Sequence, residues 1–106
     1  MTQEEILKIE QNIILTLKNI YDPEIPVNIY DLGLIYKIDY DPSGDVTIEM
    51  TLTAPNCPMA DMLVGEVNTQ VGKIEGVKNV NVILVFEPEW NYSMLSDEAK
   101  LELNML

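Results

Sequence analysis

The feature that most limits the folds open to this chain is a change in the period of its apolar residues, from helical to extended and back, within 106 residues. Ile6, Ile9, Ile13, Leu17 and Ile20 recur at steps of three and four, which places them along one face of an amphipathic helix over residues 4–20. Pro23 ends that helix at Asp22, because its ring disfavours the α region for the preceding residue and it has no amide hydrogen to donate. Residues 21–31 then form a loop. Over 33–40 the period falls to two, with Leu34, Tyr36, Ile38 and Tyr40 on one side and Lys37 and Asp39 on the other. Asp41-Pro42-Ser43-Gly44 has turn chemistry, and Val46, Ile48, Met50 and Leu52 resume the alternation, which predicts an antiparallel hairpin.

Helical spacing returns at Met59, Met62, Leu63, Val67, Val71 and Ile74, with Gly76 as C-terminal cap. Gly65 and Gly72 weaken this helix by about 1 kcal/mol each relative to alanine, so tertiary packing must hold it. Met59 and Met62, at helical spacing among leucine and valine, read as core fillers rather than copper ligands. Residues 80–86 are almost continuously apolar, as expected of a well-covered strand inside the sheet. It follows a crossover that is right-handed if the second and third strands are parallel. Pro88 closes the strand, Trp90 is a packing anchor, and Ser96 caps a short helix through Leu103 with Asp97 and Glu98 in its first turn. The order α-β-β-α-β-α predicts an α+β fold: one compact two-layer domain over residues 1–106, with helices packed against a three-stranded mixed sheet.

Composition narrows the function. A chain 47% hydrophobic and 23% charged belongs with ordinary soluble globular proteins rather than disordered tails. No apolar run approaches the roughly 20 residues that span a bilayer, and Met1-Thr2-Gln3-Glu4-Glu5 lacks the positive start of a signal peptide, so the expected location is cytoplasmic, with no membrane partner. A formal charge of -12 repels phosphate backbones and argues against nucleic acid as a partner. There is no histidine, which excludes histidine-based hydrolase triads and removes the commonest nitrogen ligand of metals. No phosphate-binding or dinucleotide fingerprint is present.

Cys57 is the single cysteine, so no internal disulfide is possible. It precedes Pro58, a residue favoured at the first helical position, which makes Cys57 the N-cap of the second helix. Unsatisfied amides there draw a thiol down from its ordinary value of about 8.5, whereas Asp61, one turn on, pushes the other way. A free cysteine is most often a small buried hydrophobe, but a proline-flanked loop at a helix start favours a functional thiol. Asp22 and Glu24, separated by one residue, can reach a common point from an extended loop; alone they read as a solvated turn. Beside a thiolate they would need a cation, and such a donor set suits iron or zinc. One thiolate is too few for a stable cluster, so further ligands must come from a second chain or a client.

Asp22-Pro23-Glu24-Ile25, Asp31-Leu32-Gly33-Leu34-Ile35-Tyr36, Thr51-Leu52-Thr53 with Cys57-Pro58, and Pro88-Glu89-Trp90 together resemble the SufT-like, or MIP-eighteen-like, family of iron-sulfur cluster assembly factors, also described as PaaD-like metal-sulfur cluster biosynthetic domains. The similarity covers nearly the whole chain in order. It implies a fold similar to the C-terminal domain of NifU-type scaffolds and a role in maturing iron-sulfur proteins, with no enzymatic reaction. It places the site at Asp22, Glu24 and Cys57, with Ile25, Thr53 and Asn56 supporting. Cys57 would ligate a transient iron-sulfur cluster or iron, Asp22 and Glu24 would orient it, and Thr53 would donate a hydrogen bond. The implied partners are iron-sulfur assembly proteins and client apoproteins, and a two-fold homodimer pairing two Cys57 thiols would ease the ligand shortage. Relatives serving phenylacetyl-CoA oxygenation carry a cysteine-rich tail, and none follows Leu106, so a zinc-ribbon oxygenase subunit is not expected. The alternative to a cluster carrier or adaptor is a non-catalytic interaction module that recruits partners through its acidic surface. A thiol-dependent enzyme would need Asp22, Glu24 or Asp61 as its general base.

Overall fold

The computed structural model describes residues 2–22, 25–53 and 60–103. Helix α1 (Gln3–Leu17) starts at Thr2, whose hydroxyl accepts the Glu5 amide, and buries Ile9, Ile13 and Leu17 along one stripe. It stops at Leu17, three residues short of the expected Ile20. Lys18 caps it, and the Asn19 and Ile20 amides turn back to Thr16 and Leu17 in i→i−3 bonds. Ile20 thus stays in the core, 1% exposed, without being helical.

Strands β1 (Ile35–Tyr40) and β2 (Asp45–Met50) form the expected antiparallel hairpin, and β3 (Asn79–Leu84) pairs parallel to β2, giving a mixed sheet in the order β1-β2-β3. Helix α2 (Ala60–Gly72) joins β2 to β3 and packs on β3 and α1 through Leu63, Val67 and Val71. Cross-strand pairs put Tyr40, Val46 and Val80 on one face, followed by Ile38, Ile48 and Val82. These residues meet the helices in the core. Lys37, Glu49 and Ile83 share the opposite face. After β3 come a 3-10 turn (Tyr92–Met94) and helix α3 (Asp97–Glu102), capped by Ser96 as expected.

Four further expectations change. β3 is an edge strand rather than an interior one, since β2 holds the centre, and Ile83, Leu84 and Phe86 remain 40%, 36% and 43% exposed. The alternation in β1 is interrupted, because the register shifts between Ile35 and Lys37 and leaves Tyr36 in a bulge. Met62 is 55% exposed, so it fills no core gap: the buried stripe of α2 runs through Leu63, Val67 and Val71 and passes beside it. Finally, α2 ends at Gly72, and Gly76, with φ +96°, serves the following turn rather than the helix itself. The expected positions of Cys57 and Pro58 at the start of this helix, and of Met59, lie outside the described residues.

Candidate functional site

The loop after α1 is tied down by its own backbone. Tyr21 and Asn28 form an isolated antiparallel bridge, the Ile29 amide donates to the Ile20 carbonyl at 2.8 Å, and the Asp22 amide reaches the Val27 carbonyl at 3.4 Å. The Asp22 side chain is only 6% exposed, and its Oδ1 accepts the Ile25 amide at 3.1 Å. A buried carboxylate is tolerated when it is hydrogen-bonded, and this one is bonded to the Ile25 amide. The solvated-turn reading of this acid pair therefore fails for Asp22. The structure brings Asp22 and Ile25 together; Glu24, Asn56 and Cys57 lie outside the described residues.

Thr53 stands elsewhere in the chain's order, at the end of the run that leaves β2. Thr51, Leu52, Thr53, Phe86, Glu89 and Trp90 line a cavity of about 200 Å³. Its walls are held by the motif residues. The Trp90 indole donates to the Leu32 carbonyl at 2.7 Å and stands edge-to-face with Tyr92, the ring centroids 5.2 Å apart. The Tyr36 hydroxyl donates to the Pro88 carbonyl at 2.7 Å. Burial raises the Tyr36 pKa above the ordinary tyrosine value, partly offset by its hydrogen bond with Thr51. The Ser96 amide donates to the Asp31 carbonyl at 2.8 Å, and Asn28 and Asp31 exchange side-chain and backbone bonds at 2.7 and 2.9 Å. Gly33, with φ +82°, lies so close to the Met94 backbone that a Cβ would strike the Met94 carbonyl oxygen.

The motif strings of the sequence thus divide by task. Asp31-Leu32-Gly33 and Tyr36 clamp the arm that follows β3, and the arm in turn presents Glu89 and Trp90 beside Thr53. Sequence reasoning gave Trp90 its packing role and gave Glu89, Phe86 and Tyr36 none. The signal for Glu89 lay in Pro88-Glu89-Trp90, where an acid sits between a proline that fixes the backbone and a tryptophan anchored by its indole. Among the described residues, no group of three or more histidine, cysteine or acidic side chains is placed to hold a metal ion, and no helix is long and apolar enough to cross a membrane.

The model of a family described as iron-sulfur cluster assembly protein matches residues 10–82. A Porphyromonas gingivalis protein named Fe-S protein maturation auxiliary factor is 55% identical over 102 residues, covering 96% of this chain and 97% of its own length. The Bacillus subtilis Fe-S protein maturation auxiliary factor YitW is 39% identical over 102 residues, covering 96% of this chain and 98% of its own. Among solved structures, a domain of unknown function DUF59 from Bacillus anthracis superposes with a TM-score of 0.87 at 31% identity, over 94% of this chain and 95% of that one. The α+β architecture and the motif strings agree with these matches, and the chain belongs to the iron-sulfur cluster assembly protein family.

Proposed function

We propose that this protein is a non-enzymatic carrier or adaptor that delivers iron-sulfur clusters to client apoproteins, with Cys57 holding the cargo transiently. The observation that carries this reading is the 55% identity, over nearly the full length of both chains, to a protein named as an Fe-S protein maturation auxiliary factor. Cys57 is the only thiol, so any thiolate ligand from this chain comes from it. One thiolate holds a cluster incompletely, which suits a cargo that must leave. The remaining ligands come from an assembly protein, the client, or a second copy of the chain.

The acids then take different parts. The Asp22 carboxylate is already engaged by the Ile25 amide, so its part is structural, fixing Ile25 against it. Glu24 is the acid that orients the cargo, Thr53 supplies a hydrogen bond, and Ile25 and Asn56 support the two segments. The test is a cell lacking the native gene and complemented with wild type or Cys57→Ser, with the activity of iron-sulfur enzymes measured. The expected result is loss of client activity in Cys57→Ser with normal protein level and unfolding midpoint. Full client activity in Cys57→Ser would overturn the proposal.

A further inference from the structure

The cavity beside Thr53 has a chemistry that cluster binding does not use. Its Trp90 wall is rigid, because the indole is fixed at one edge by the Leu32 carbonyl and braced by Tyr92. Phe86, 43% exposed, provides a second aromatic wall. Thr51 is buried and bonded to Tyr36, so among the described residues the polar groups left to meet a ligand are Thr53 and the exposed carboxylate of Glu89. Glu89 makes no hydrogen bond or ion pair among the described residues. A volume of about 200 Å³ falls below the roughly 300–1,000 Å³ of small-molecule sites and suits one inserted side chain.

Aromatic walls with a carboxylate at the rim are the surroundings a guanidinium prefers. Its planar cation stacks on aromatic faces, is less strongly hydrated than an ammonium, and pairs with a carboxylate through two parallel N–H donors. The net charge of -12 draws basic surfaces toward the protein before contact. We propose that this cavity receives an arginine side chain presented by a partner protein, with Glu89 pairing its guanidinium while Trp90 and Phe86 flank its plane. The partner's role as assembly protein or client rests on the carrier reading above; the arginine site itself does not.

Trp90 is the only tryptophan, so its emission reports on the cavity directly. The experiment titrates the full chain with N-acetyl-arginine methylamide, its neutral citrulline isostere and its lysine counterpart. The expected result is a saturable change in Trp90 emission with the arginine probe, weakened about fivefold in Glu89→Gln and absent with citrulline. An equal response to citrulline or to lysine, or a Glu89→Gln protein that binds as wild type, would overturn the assignment. Reconstitution with iron and sulfide on the same preparation separates the two proposals. A protein that binds the probe through Glu89 but forms no Cys57-dependent chromophore keeps the arginine site and loses direct carriage. One that forms the chromophore but fails to distinguish arginine from citrulline loses the arginine site alone.

Discussion

Replacing Gly33 by alanine perturbs the point where the arm after β3 is locked to the rest of the fold. With φ at +82°, an L-residue there adopts a left-handed backbone, which costs about 1–2 kcal/mol. The new methyl also meets the Met94 carbonyl oxygen and lies 2.9 Å from the Met94 Cβ, a fixed backbone environment that cannot rotate away. Either the loop around Gly33 or the arm must shift, and both hydrogen bonds that join them, Trp90 to Leu32 and Ser96 to Asp31, are then strained or lost. At about 1 kcal/mol for each, the expected total is about 3–4 kcal/mol, a large share of the roughly 5–15 kcal/mol that holds a domain together. Urea unfolding followed by Trp90 emission and by far-ultraviolet circular dichroism reads this as a lower midpoint at unchanged slope. A loss below about 1 kcal/mol would refute the clamp, since ordinary surface changes fall within about 0.5 kcal/mol.

The same substitution at Gly65 should have the opposite sign: a Cβ there meets nothing within 4 Å, so Gly65→Ala is expected to stabilise α2 by about 0.5–1 kcal/mol, read as a higher urea midpoint. Asp22→Ala leaves the Ile25 amide without its acceptor and should cost about 1–3 kcal/mol, whereas Asp22→Asn keeps an acceptor oxygen and should cost less; equal losses in thermal unfolding would assign the role to the charge instead. Tyr36→Phe removes the bond to the Pro88 carbonyl and should cost about 1 kcal/mol at neutral pH. Because burial raises the Tyr36 pKa in the folded state, the associated stability is present below about pH 10 and is lost as pH rises through the folded value. The gap between wild type and Tyr36→Phe should therefore narrow above about pH 10 in urea titrations.

The period of the apolar residues was enough to locate two helices and three strands, because burial of one face dictates both spacings, while the third helix was legible from its Ser96 cap and the acids that follow it. The same rule could not place β3 at the edge. Val80, Val82, Ile83, Leu84 and Val85 are apolar on both parities, and exposure of Ile83 depends on which strands and helices cover it, a matter of topology rather than local pattern. The bulge at Tyr36 was equally hidden, since a register shift leaves the alternation of letters intact. At the site, Asp22 was legible as a singular residue but not as a buried one, because its partner is a backbone amide three residues on. Glu89 escaped notice for a different reason: its setting is assembled from the run after β2, the arm and the Leu32 carbonyl, which lie far apart in sequence.

Whether Cys57 carries cluster cargo is decided by anaerobic reconstitution of the purified protein with iron and sulfide. Visible absorption and oligomeric state are followed for wild type and Cys57→Ser in parallel. A chromophore is expected in wild type and lost in Cys57→Ser, with a shift to dimer if two chains share the ligands. The absence of a chromophore in either protein, or an equal one in both, would contradict it.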